Sequence, residues 1–170
     1  MKKQIISTAA ALMLMVAFPA NAQDVYVAGY EKNNQIQSKT RATLWKNGSP
    51  QYLSDWNGQA VANSVFLSGD DVFIAGTTSN DQGNGIAMLW KNGEPQTLRL
   101  SENWINSKAK SVFVSGNDVY VVGSSYLYKT ERGMEAREAT WLWKNGVPQP
   151  LSLNSEYRSI ELESLRANDR

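Results

Sequence analysis

Internal repetition is the feature that most constrains this chain. Asp24-Val25-Tyr26-Val27-Ala28-Gly29 returns as Asp71-Val72-Phe73-Ile74-Ala75-Gly76 and again as Asp118-Val119-Tyr120-Val121-Val122-Gly123, 47 residues apart each time. A second motif follows each copy: Leu44-Trp45-Lys46-Asn47-Gly48, Leu89-Trp90-Lys91-Asn92-Gly93 and Leu142-Trp143-Lys144-Asn145-Gly146. Two residues past each glycine comes Pro-Gln, at Pro50, Pro95 and Pro148. A third motif precedes two of the copies, Ser64-Val65-Phe66-Leu67-Ser68-Gly69 and Ser111-Val112-Phe113-Val114-Ser115-Gly116. A unit repeated at this period cannot bury its apolar face alone and must stack on its neighbours.

Each unit reads as four strands, a to d. Strand a is the Ser-Val-Phe segment and strand b the Val-Tyr-Val segment, both rich in β-branched and aromatic residues. The turn composition Ser-Gly-Asp-Asp at 68–71, or Ser-Gly-Asn-Asp at 115–118, separates them. Strand c ends at Leu-Trp-Lys. The following Asn-Gly is a hairpin signal, because both residues tolerate positive φ in a type I′ turn. Strand d is Pro-Gln-x-Leu, its proline placed first, where a missing N–H costs least. No segment after Gln23 has a helical period. The expectation is an all-β chain of three tandem four-stranded antiparallel repeats.

The first 22 residues read differently. Met1-Lys2-Lys3 is basic, Ala9 to Phe18 is apolar, Pro19 breaks the run and Ala20-Asn21-Ala22 is a small-x-small cleavage site. That order is a secretory signal peptide, with cleavage after Ala22 and a periplasmic or secreted product. The apolar run is shorter than the roughly 20 residues of a spanning helix, so the chain is not expected to be membrane-embedded. Residues 23–170 then form a single repeat domain, in units of approximately 24–60, 61–108 and 109–156.

The domain starts at strand b, with no strand a before it. At the other end Leu151 and Ser164 are spaced as Leu98 and Ser111 are, which places a closing strand over 157–167, at the position of a further strand a. Ile160 and Leu162 alternate with Glu161 and Glu163 there, although Arg166 stands where a core Phe belongs. This strand would complete the first unit of its own chain or of a second copy, giving a compact monomer or a homodimer. A third reading makes the chain part of a longer repeat array.

The Val-Tyr-Val-Ala-Gly and Ala-x-Leu-Trp-Lys-Asn-Gly pair resembles the repeats of secreted bacterial β-propeller-like proteins, including the extracellular HAF-type repeats and the Asn-Val-Tyr-Val-Thr-Gly type. The resemblance covers nearly all of residues 23–170. It implies propeller-like blades and export, and brings no catalytic residues with it. Propellers have roughly 4–8 blades, so three units leave a β-trefoil or β-prism as the alternative architecture.

Composition removes several function classes. Of 17 Lys and Arg, two lie in the signal segment, which leaves 15 against 16 Asp and Glu. A charge of about −1 gives no basic surface for nucleic acid. There is no His and no Cys. Ser-His and Cys-His nucleophilic catalysis are therefore excluded, and zinc loses its usual ligands. No phosphate-cradling Gly-rich loop follows a strand and opens a helix. No cofactor is expected.

The candidate residues divide by whether they repeat. Trp45, Trp90 and Trp143 hold one position in every unit, which reads as packing between units rather than a ligand platform. Lys46, Lys91 and Lys144 read as solvated strand ends. Asp24, Asp71 and Asp118 read as turn caps bonding their own backbone, since calcium wants roughly 6–8 oxygen ligands and each unit offers one or two.

The d-to-a connections hold Asp55, Trp56 and Asn57, then Glu102, Trp104 and Asn106, then Glu156 and Tyr157. An aromatic face beside a carboxylate or amide is the minimal apparatus for a sugar ring, and plugs between units are the competing reading. The b-to-c connections differ most among copies, and the third carries Glu131 and Glu135, an acid–base pair or a solvated charged hairpin. The reading these residues support is an exported, non-catalytic binding module for carbohydrate or an envelope protein. A protein-assembly scaffold and a carboxylate glycosidase are the alternatives.

Overall fold

β-branched and aromatic runs punctuated by Gly, Asn and Asp give, among the described residues, eleven strands and no helix. The structure is a computed structural model that describes residues 23–33, 35, 39–100, 104–127 and 137–152. In order the strands are β1 (Tyr26–Lys32), β2 (Thr40–Lys46), β3 (Ser49–Tyr52), β4 (Ala60–Ser68), β5 (Asp71–Ser79), β6 (Gly85–Lys91), β7 (Glu94–Thr97), β8 (Trp104–Ser115), β9 (Asp118–Leu127), β10 (Arg137–Lys144) and β11 (Val147–Ser152). The signal segment, Glu131, Glu135 and the closing strand expected over 157–167 lie outside the described residues.

Three antiparallel sheets result, ordered β1-β2-β3, β4-β5-β6-β7 and β11-β10-β9-β8, here units 1, 2 and 3. Sheet neighbours are sequence neighbours, so each unit is a meander. None of the three sheets closes on itself. Units 2 and 3 have the expected four strands. Unit 1 has three among the described residues, and β1, its strand b, is an edge strand.

The c–d turns have the conformation their sequence demands. Asn47 and Gly48 have φ of 51° and 81°, Asn92 and Gly93 of 54° and 89°, and Asn145 and Gly146 of 52° and 81°. The proline of strand d is second rather than first in its strand, pairing with the tryptophan of strand c, as Pro50 does with Trp45. Each d strand ends its sheet, so the missing N–H breaks no ladder. The meander gathers the a–b and c–d turns at one end of every unit, the turn end. The b–c and d–a connections gather at the other, the loop end.

Two faces of each sheet alternate along the strands. One face of unit 1, with Tyr26, Ala28, Ala42 and Leu44, packs against Ile74, Met88 and Trp90 of unit 2. The equivalent face of unit 2, with Phe73, Ala75, Ala87 and Leu89, packs against Val121, Trp141 and Trp143 of unit 3. The two joints are thus one joint repeated head to tail. The first face is called the forward face and the second, which carries the tryptophan of strand c, the rear face.

Two devices recur in both joints. Trp90 is fully buried and its indole N–H donates to Leu53 O of unit 1 at 3.0 Å. Trp143 is likewise buried and donates to Arg99 O of unit 2 at 3.4 Å. Gln51 and Gln96, the glutamines of the Pro-Gln motif, reach onto Gly93 and Gly146 of the next unit. A Cβ at those glycines would meet the amide nitrogens at 2.7 and 2.9 Å. The joint of units 2 and 3 has a further contact, in which β4 and β8 touch through Phe66 and Phe113, edge to face at 5.0 Å. A β-bulge at Asn63 turns that side chain so that its Nδ2 donates to Ala109 O of unit 3 at 2.7 Å.

The glycine that ends the strand-b motif seats the tryptophan in units 1 and 2, and in unit 3 Gly123 lies against the Lys108 carbonyl. A Cβ on Gly76 would strike Val61 O and meet the Trp90 ring at 2.8 Å. The motif therefore requires glycine for close approach rather than for a turn.

Candidate functional site

The turn end is built from repeated residues, and they are occupied with one another. Asn47 holds the start of β1 by accepting from Val25 N–H (2.9 Å) and donating its backbone N–H to Val25 O (2.9 Å). Its Nδ2 donates to Asp24 Oδ1 at 2.7 Å, and Lys46 Nζ reaches Asp24 Oδ2 at 2.8 Å. The same bracket recurs as Asp71–Lys91–Asn92 and Asp118–Lys144–Asn145. Each lysine also stands over the aromatic of strand b, Tyr26, Phe73 or Tyr120, at 5.3 to 5.4 Å from the ring centroid.

This corrects two expectations. The aspartates bond lysine and asparagine side chains across the sheet rather than cap their own turn. The lysines are ion-paired rather than simply solvated. Lysine and asparagine donors hold all three carboxyls below the ordinary aspartate value. With each carboxylate neutralised by its own lysine, the three form no common cation site. Among the described residues no group of three His, Cys, Asp or Glu is placed to hold a metal.

A cleft of about 360 Å³ opens at the turn end between units 2 and 3, lined by Asp71, Lys91 and Gln96 on one side and Gly116, Asn117 and Asn145 on the other. Asp71, Lys91 and Asn145 are already engaged in the brackets. Few of its polar groups remain for a ligand.

The loop end offers more. A shallow groove of about 430 Å³ lies where unit 1 meets unit 2, lined by Tyr30, Lys32, Asn33, Lys39, Thr40, Gln59 and Val61. Tyr30 is 42 % exposed. Its equivalents by register are Thr77 and Ser124, so this aromatic departs from the repeat. Lys32 Nζ lies 5.9 Å from its ring centroid, and Lys39 Nζ donates to Asn57 O at 3.3 Å. Thr40 serves structure: its hydroxyl donates to Ala60 O and accepts from Ala60 N–H, both at 2.9 Å. Gln59 fixes its backbone on Ser79, accepting at O from Ser79 N–H and donating N–H to Ser79 Oγ. Gln59 is exposed and lines the groove.

Of the residues expected from sequence to bind a sugar, Asp55, Trp56, Asn57, Trp104 and Asn106 are described. Asp55 and Asn57 form an Asx turn, with Asn57 N–H on Asp55 Oδ1 at 2.9 Å and the two side chains hydrogen-bonded as well. Trp56 and Tyr52 flank Arg41, whose guanidinium carbon is 4.4 Å from the Trp56 ring centroid and 3.2 Å from that of Tyr52. Arg41 also pairs with Glu31 at 2.7 Å. This stack lies on the rear face of unit 1, away from the groove.

Trp104 and Asn106 are not in a connection at all but in β8, where Trp104 pairs with Leu127. Asn106 sits at a bulge with φ of 56°, and its Oδ1 accepts Gly85 N–H at 2.8 Å. Glu102, Glu156 and Tyr157 lie outside the described residues. Among the described residues, Asp55, Trp56 and Asn57 are engaged within unit 1, and Asn106 is engaged with unit 2 through Gly85. The groove residues escaped sequence reading because Tyr30 sits one place past a repeat motif, where only comparison of the three copies marks it.

No protein-family model matches the chain, and neither characterised proteins nor solved structures include a match. Among the described residues no helix is long and apolar enough to cross a membrane.

Proposed function

We propose that the chain is an exported, non-catalytic carbohydrate-binding module whose ligand lies in the Tyr30 groove. The observation that carries this reading is an aromatic residue, Tyr30, exposed at a groove and absent from the repeat, with Gln59 and two lysines lining the same groove. A sugar ring stacks its C–H face on such a ring while its hydroxyls bond the amide and ammonium groups. Lys32 and Lys39 favour sugars bearing carboxylate or sulfate.

The meanders fit propeller-like blades better than a trefoil or prism. Head-to-tail packing of whole sheets and the adjacency of β4 and β8, both strand a, support blades. The short d–a connections, Leu53–Gln59 and 98–103, lead each unit directly into its neighbour. The secreted β-propeller-like repeat proteins accordingly remain the proposed relatives.

A glycan array followed by calorimetric titration tests the reading. Acidic oligosaccharides are expected to bind, and Tyr30→Ala to weaken binding about threefold to tenfold, the scale of one aromatic contact. Trp56→Ala is expected to leave affinity unchanged. Capture of a protein partner with no response to any sugar would favour the assembly scaffold. Turnover of a chromogenic glycoside would favour the carboxylate glycosidase.

A further inference from the structure

The head-to-tail joint is made twice within the chain, and unit 1 presents the same rear face a third time. Val27 occupies the place of Ile74 and Val121. Those two are 0 % and 1 % exposed in their joints, whereas Val27 is 52 % exposed and Val25 beside it 47 %. Trp45 repeats Trp90 and Trp143 but is only half-buried, and its indole N–H has no acceptor among the described residues. Gly48 repeats Gly93 and Gly146. A Cβ there would meet nothing within 4 Å, where the other two meet a glutamine. The strand-b valine, the tryptophan and the glycine of the joint are thus all present and uncovered on one face.

The complement is also present. Gln149 of unit 3 repeats Gln51 and Gln96, pairs with Leu142 as they do with Leu44 and Leu89, and is exposed. We infer that the rear face of unit 1 receives the forward face of unit 3 from a second copy of this chain, so that two copies join head to tail through two identical joints. A heterologous contact of this kind closes when the rotation per unit allows it, and two chains then form a ring of six units. The Glu31–Arg41 pair with Tyr52 and Trp56 already covers the loop-end half of the face. The new contact is therefore confined to the turn-end half, around Val25, Val27, Trp45 and Gly48.

Two measurements on the purified full-length chain test this. Light scattering is expected to give twice the single-chain mass, and Val27→Asp to halve it while leaving the circular dichroism spectrum unchanged. The chain lacks cysteine, so single-cysteine variants can be mixed cleanly. Ser49→Cys mixed with Gln149→Cys is expected to give an interchain product with a short bis-maleimide, and either variant alone is not. Gln51→Cys with Glu94→Cys in one chain spans the observed joint and serves as the positive control. A single-chain mass at the highest attainable concentration, or no interchain product while the control reacts, would overturn the inference.

Discussion

The repeated tryptophan shows how one residue type takes two energetic roles. Trp90 sits fully buried with its N–H satisfied, while Trp45 lies across Gly29 with one side open. Truncating a buried tryptophan leaves a cavity and costs about 3–5 kcal/mol. Trp90→Ala is therefore expected to lower stability by about that amount in a denaturant titration, and Trp45→Ala by much less when measured in dilute protein. Equal losses would mean that the joint between units 1 and 2 is not as described. The packing role of these residues was legible because a position identical in every copy encodes the fold. The role of Trp56 was not. Its spacing in a polar connection looks like a ligand platform, and only the structure brings Arg41 of β2 against it.

The strands themselves were legible from alternation and from the Asn-Gly turns. Their ends were less so. β1 runs on to Lys32 and β2 begins at Thr40, which pairs Glu31 with Arg41 at the two ends of the polar sequence that joins strands b and c of unit 1. β8 begins at Trp104 and so takes in residues that read as connection. The bracket joining strand b to the c–d turn was missed for a different reason: its partners lie some 22 residues apart, and nothing local couples Asp24 to Lys46 and Asn47.

That bracket has a pH signature. The three carboxyls ionise below the ordinary aspartate value of 3.8, held down by lysine and asparagine. A carboxyl whose folded value is depressed contributes stability above its unfolded value and loses it as pH falls through the folded one. The melting temperature is therefore expected to hold from neutrality down to the unfolded aspartate value, about pH 4, and to decline below it. Because the pairs are solvent-exposed, the decline should be modest and should shrink in salt. Asp71→Asn should remove part of it, and an undiminished acid transition in that variant would contradict the assignment.

At the scale of the molecule the two ends of the stack differ. The turn end is assembled from what the copies share, and its charges are spent on one another. The loop end carries what the copies do not share, Tyr30 and the Arg41 stack among them. Three repeated units were legible in the sequence, but the direction in which they stack was not. It depends on which face of each sheet carries the tryptophan, and so on register between strands far apart in the chain. The groove depends on the same stacking, because Tyr30 stands on the forward face of unit 1 and the rear face of unit 2 leaves it partly exposed. The division of labour between the ends is tested most directly by mapping amide chemical shifts during titration with the acidic oligosaccharide chosen from the array. Shifts are expected at Tyr30, Lys32, Thr40, Gln59 and Val61, with the brackets around Asp24, Asp71 and Asp118 unmoved. Shifts gathered instead at the turn-end cleft around Gln96, Gly116 and Asn117 would contradict it.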